Sequence, residues 1–115
     1  MLFALLICHH FLAPLTWLTP KIHDFGSVTI RKESNCEFRF KNETTEPIVI
    51  DNVRTTCGCT APEWSDAPVM PDSIGSIKIA FFPRESGSFE KRIKVWLHHY
   101  SKPEILTIKG TVGEE

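Results

Sequence analysis

Cys57-Gly58-Cys59, at the end of the strand-like run Val53-Arg54-Thr55-Thr56, is the arrangement in this chain best suited to chemistry. If that strand continues without a bulge, both cysteines point to one face, and Gly58 removes steric hindrance between them. Their sulfurs can then close a small, strained ring whose disulfide is easily reduced, the behaviour of a redox pair. As two thiolates they supply half of a soft-metal site, with copper or zinc as the ion. A plainer reading needs no activity, because cysteine packs as a small buried hydrophobe, as a core thiol or in a simple local disulfide. A bridge to Cys36 is the remaining option.

Other candidates for a metal site are sparse. His98 and His99 are adjacent, and on a strand adjacent residues face opposite ways, so they form no chelate. His23 precedes Asp24 and is expected to make a local hydrogen bond at a strand entry. Four cysteines become three if Cys8 departs with a cleaved leader, and Cys36, alternating with Phe38 and Phe40, is then the unpaired thiol expected in the core. No resident cofactor is expected outside the copper or zinc alternative. Phosphate-binding glycine loops, helix-borne histidine pairs and nucleophile elbows are missing from the sequence, which predicts a non-enzyme. Asp51, Asp66, Asp72, Glu85 and Glu90 fall in turns or on polar faces, where solvation is their default role.

A second kind of site is a surface. Phe82 and Trp96 fall on the polar register of their strands, and Tyr100 continues the register of Trp96. Together with His98 they are expected to form an exposed patch if the two strands share a sheet, suited to a protein or an envelope glycan. The alternatives are a loop or leader covering them, or aromatics scattered singly. Trp64 is expected to cap the core, and Asn42-Glu43-Thr44 matches a glycosylation sequon.

The elements that must carry these residues have period two. Phe38 and Phe40 alternate with Glu37 and Arg39; Ile77, Ile79 and Phe81 with Lys78 and Ala80; Ile93, Val95 and Leu97 with Arg92, Lys94 and Trp96; and Leu106, Ile108 and Val112 with Thr107, Lys109 and Thr111. Turn-forming clusters such as Glu85-Ser86-Gly87 and Ser101-Lys102-Pro103 separate the runs, and no segment holds helical spacing. Short strands without helices bury their apolar faces as two packed sheets, so the expected fold is all-β, an immunoglobulin-like antiparallel β-sandwich of about seven strands.

At 115 residues the chain has room for one such domain, expected over 21–115. The 13 Lys and Arg residues against 14 Asp and Glu leave a net charge of −1, so nucleic acid is excluded as the expected partner. Residues 1–20 form a hydrophobic N-terminal segment, and 1–18 contain no charged side chain. The segment reads as an atypical export signal, lacking a basic start and a small-residue cleavage site. A membrane anchor and a hydrophobic extension packed on the domain are the alternatives.

The runs His23-Asp24-Phe25-Gly26, Phe38-Arg39-Phe40-Lys41-Asn42, Pro47-Ile48-Val49-Ile50, Val53-Arg54-Thr55-Thr56-Cys57-Gly58-Cys59-Thr60, Pro62-Glu63-Trp64 and Ile108-Lys109-Gly110-Thr111-Val112 resemble the bacterial domain-of-unknown-function family 1573. The resemblance covers roughly residues 22 to 112 and is carried most specifically by the Cys-Gly-Cys-Thr run with the Pro and Trp after it. It implies an Ig-like domain related to hydin and sperm-protein modules, usually exported in bacteria, with no agreed activity. His98-His99-Tyr100 departs from it, standing where a small polar turn is expected. The expectation is an exported, extracytoplasmic module, periplasmic or on the cell surface, that binds or scaffolds without catalysis. The alternative is a copper, zinc or thiol-redox protein acting through Cys57 and Cys59.

Overall fold

Alternating apolar and polar residues become strands wherever the sequence shows them, and the computed structural model describes residues 14–114 of the chain. Of the hydrophobic segment 1–20, on which the export-signal and anchor expectations rest, residues 1–13 with Cys8 lie outside the described residues. Eight strands run in the order β1 (Leu15–Trp17), β2 (Ile22–Thr29), β3 (Ser34–Asn42), β4 (Ile50–Thr55), β5 (Thr60–Trp64), β6 (Ile74–Phe81), β7 (Gly87–Leu97) and β8 (Glu104–Gly113). They form two four-stranded sheets, ordered β1-β3-β6-β5 and β2-β8-β7-β4. The all-β sandwich is therefore as expected, with one strand more than the sequence suggested.

Two details differ from the expectation. β2 lies parallel to β8, with Ile22 opposite Thr107 and Val28 opposite Val112, so the second sheet is mixed. Periodicity reports which face of a strand is buried but not the direction of its neighbour, which here joins the start of the domain to its end. The sandwich also includes residues before Lys21. Leu15 pairs with Asn42 and Trp17 with Phe40, and Leu15 is only 4% exposed. The Trp17 indole N–H donates to Glu104 Oε1 at 2.9 Å, tying the first sheet to β8 of the second. The alternation Leu15-Thr16-Trp17 was concealed inside a longer apolar run.

The core follows the period-two pattern. Phe38, Phe40, Ile77, Ile79, Ile93, Val95, Leu106 and Ile108 are all fully buried between the sheets. Trp64 packs against this core from β5. Gly26 sits at a bulge between Asp24 and Ser27 with φ of 70°, and its N–H is accepted by Asp24 Oδ1 at 2.8 Å. Asp24 thus bonds forward to the bulge, while His23 packs edge-on against Phe25.

Asn42 lies in the interior, 0% exposed. Its amide donates to the carbonyls of Glu46 and Val69, each at 2.8 Å, and its Oδ1 accepts from Thr44 N–H at 2.8 Å and Thr44 Oγ1 at 2.6 Å. Every polar atom of the side chain is used to hold the loop after β3 against the segment before β6. The sequon is therefore structural, with its amide nitrogen occupied and buried.

Cys36 is a free thiol at the margin of the core, half-buried instead of enclosed. Burial pushes its pKa up to about 11. A thiol whose folded pKa is raised stabilises the fold fully below its unfolded pKa, and that contribution is lost as pH rises through about 11. At pH 8 we expect Cys36 to alkylate at least about tenfold more slowly in the folded protein than in urea, because the thiolate is the reactive form. Equal rates, followed by mass spectrometry, would show that burial does not protect it.

Candidate functional site

β4 belongs to the second sheet and β5 to the first, so the four residues between Thr55 and Thr60 must cross from one sheet to the other. Cys57, Gly58 and Cys59 therefore occupy a tight arch and not a continuing strand. Thr60 N–H donates to the Cys57 carbonyl at 3.1 Å, closing the turn. Phe82 N–H donates to the Cys59 carbonyl at 2.8 Å, and Thr55 Oγ1 to the Cys57 carbonyl at 3.3 Å, fixing the arch at both ends. The expected convergence of the two sulfurs comes about through the turn: Cys57 and Cys59 are joined as a disulfide with their Cα atoms 5.2 Å apart. Both residues are half-buried.

In this form neither sulfur is a thiolate, and binding copper or zinc would first require two-electron reduction. Among the described residues, no three or more His, Cys, Asp and Glu side chains come together in a way that could hold a metal ion. Because the bridge closes so short a loop, the unfolded chain gains little freedom when it is cut. Reduction is expected to lower stability by only about 1–2 kcal/mol, read as a shift in urea midpoint with and without reductant. A loss beyond about 4 kcal/mol would mean that the bridge is a principal staple of the fold.

The arch forms one wall of a cleft of about 420 Å³ at one end of the sandwich. Phe81, Phe89 and Val112 supply apolar walls, and Arg84 and Lys91 stand among its polar lining. The opposite wall is the β6–β7 connection, which also crosses between sheets. The cleft went unforeseen because it exists only where two cross-overs meet, which a reading strand by strand does not bring together.

The expected aromatic surface is only partly assembled. Trp96 is outward on β7, half-buried and opposite Asn52 of β4. Phe82, 40% exposed, directly follows β6 and so belongs to the other sheet; it shares no face with Trp96. β7 ends at Leu97, so His98 and His99 lie in a turn and not on a strand. Their rings lie 4.0 Å apart instead of facing opposite ways, with His99 at a φ of 70°. His98 Nδ1 lies 3.0 Å from Asp51 Oδ2, both exposed. Tyr100, 42% exposed, follows in the same turn and does not continue the strand register.

What surrounds Trp96 instead is positive. Arg54 on β4 lies directly opposite Lys94 on β7, and Arg92 is on the same face two residues before Lys94. These residues, with Asn52 and Thr56, line a shallow groove of about 530 Å³ beside Trp96. No carboxylate oxygen of the described residues lies within 4.0 Å of the three cations. Arg92 and Lys94 are visible in the sequence as outward residues, but their clustering with Arg54 depends on the β4–β7 register.

The fold and the sequence can be compared with known proteins. No curated protein matches the sequence. Among solved structures, the PapD-like domain 7 of human CEP192 superposes with a TM-score of 0.74 at 14% identity, covering 89% of this chain and 87% of that one. A protein of unknown function from Porphyromonas gingivalis W83 gives a TM-score of 0.70 at 12% identity, covering 89% of this chain and 50% of the other. A family 123 glycoside hydrolase from Clostridium perfringens gives 0.72 at 12% identity, with 85% of this chain matched to 24% of that one. The chain spans half the length of the second protein and about a quarter of the third, and at these identities the likeness is one of fold. The sequence itself matches the model described as Protein of unknown function (DUF1573) over residues 16–112, and the chain belongs to that family.

Proposed function

We propose that this domain is a non-catalytic binding module, exported and working at the cell envelope, that holds a protein partner on the outer face of the β2-β8-β7-β4 sheet. The observation that carries the reading is the groove beside Trp96, where a large aromatic side chain is flanked by Arg54, Arg92 and Lys94. Tryptophan and arginine are among the residue types that most often anchor protein interfaces, and three cations without counter-charges among the described residues favour a partner that brings them.

The test is recovery of partners with the tagged full chain from the cells that make it. The expected result is a discrete partner retained by the wild type and by Trp96→Phe but lost with Trp96→Ala, all three melting within a few degrees of one another. Retention of the same partner by Trp96→Ala would overturn this use of the face.

A second reading is favoured by the half-exposed Cys57–Cys59 disulfide in the wall of a cleft. A bridge between residues two apart in an accessible arch suits thiol–disulfide exchange, and its reduced form offers two thiols to copper or zinc. Support for it would be reduction under mild conditions with the fold intact, followed by retention of one metal ion in native mass spectrometry of the reduced protein. Resistance of the bridge to reduction until the protein unfolds would dismiss it.

A further inference from the structure

We propose that the partner presents an acidic peptide in extended conformation, which adds to the free edge of β4 and places its carboxylates over Arg54, Arg92 and Lys94. The inference rests on the protein-binding reading above and names the chemistry of that partner.

Charge is the first support. Like charges directly opposite one another across an antiparallel pair are destabilising, and Arg54 faces Lys94 in this way. Elsewhere on the same sheet the pattern is complementary, since Lys109 of β8 stands opposite Glu90 of β7 and opposite Asp24 of β2. Arg92 meets Thr107, and Asn52 meets Trp96, so no cross-strand partner brings a carboxylate to the cluster, and Glu90, two residues before Arg92 on the same face, stands opposite Lys109. The chain as a whole carries a net charge of −1, so the concentration of positive charge is local. Carboxylates arriving from outside would relieve the repulsion and gain the attraction of all three cations.

The backbone is the second support, and it selects a peptide over other polyanions. β4 is the outermost strand of its sheet, so the N–H and C=O groups on its free side have no ladder partner. Only a chain of amides can continue that ladder. Of the other edges, β5 carries Pro62 and β2 is interrupted by the bulge between Asp24 and Ser27; β1 covers only 40–42 of β3, but the uncovered stretch of β3 presents Glu37 outward, which repels an acidic peptide. β4 has its own irregularity between Ile50 and Asn52, which leaves 52–55 as the regular stretch. Arg54 lies within that stretch, so a strand added there has its outward side chains beside the cationic groove. Trp96 then offers an apolar surface for a side chain of the peptide.

The test uses the full chain, a short oligo-glutamate peptide as probe, and heparin and oligo-lysine for comparison. Oligo-glutamate is expected to shift the β4 amide resonances and the Trp96 indole signal, with binding that weakens as salt is raised. Arg54→Glu and Lys94→Glu are each expected to weaken binding at least about tenfold, while Glu37→Lys on the other sheet leaves it unchanged. Because Arg54→Glu replaces a repulsive pair with an attractive one, its Tm should rise as its binding falls, which separates lost recognition from lost folding. The inference is overturned if oligo-glutamate leaves these signals unmoved, if Arg54→Glu binds it as well as wild type, or if heparin acts at the groove and oligo-glutamate does not. A partner that needs Trp96 but is indifferent to Arg54→Glu would sink the acidic-peptide inference alone; a partner indifferent to both would sink the protein-binding reading as well.

Discussion

Asn42→Asp is expected to lower stability by about 3–5 kcal/mol at pH 7, because it places an unpaired charge in the interior. The exchange keeps the shape of the side chain and removes its two donors. In the native protein the amide nitrogen of Asn42 sits 2.8 Å from both the Glu46 and the Val69 carbonyl oxygens. A carboxylate would turn lone pairs toward both oxygens with no water to separate them. Protonation relieves this, so the folded pKa of the introduced acid must lie above its unfolded value of about 3.9. A raised folded pKa means stability is retained below the unfolded pKa and lost as pH rises through the folded one. The cost at pH 4 should therefore fall to about 2 kcal/mol, the loss of hydrogen bonds alone. Urea unfolding at the two pH values decides the matter, and a cost independent of pH would show that Asn42 is not held as described. Against a total of roughly 5–15 kcal/mol for a domain of this kind, the effect at pH 7 is large.

Gly75→Val is the second large effect, expected at about 3 kcal/mol. Trp17, Phe40 and Gly75 stand in one row across β1, β3 and β6. The Phe40 ring leans over the glycine, and a Cβ there would meet three ring carbons, Cε2 at 2.9 Å among them. Phe40 cannot retreat easily, since it is 0% exposed and packs edge-on against Trp17 with ring centroids 5.4 Å apart. The glycine is thus kept for volume. A double-mutant cycle makes this specific: in a Phe40→Leu background the additional cost of Gly75→Val should drop below about 1 kcal/mol. An undiminished cost there would place the strain elsewhere in β6.

Much of the fold was legible because burial on one face leaves a period of two in the chain. Ile77-Lys78-Ile79 and Ile93-Lys94-Val95-Trp96-Leu97 could be assigned inward and outward faces residue by residue, and those inward positions are buried. Leu15-Thr16-Trp17 has the same alternation, but the neighbouring apolar residues conceal it. Strand direction leaves no such mark, which is why the parallel pairing of β2 with β8 emerged only with the structure. His98 and His99 show a further limit, because a turn that begins at His98 instead of Ser101 brings together two rings that a strand would separate.

The candidate site was legible in proportion to how local it is. The proximity of Cys57 and Cys59 follows from their spacing, whichever backbone carries them. Trp96 was assigned to an outward face by its alternation with Val95 and Leu97. Its association with Phe82 failed because sheet membership is settled by cross-overs far from either residue. The cationic cluster depends on Arg54 meeting Lys94 across forty residues of chain, a register that no local pattern encodes.

The most direct test of a binding role for the Trp96 face is site-specific photocrosslinking in the cells that make the protein. A benzophenone side chain placed at Arg92, in the groove, should give a discrete adduct with one partner protein, and one at Glu37, on the outer face of the other sheet, should give none. Adducts from Glu37 with none from Arg92 would contradict the assignment of this face as the binding surface.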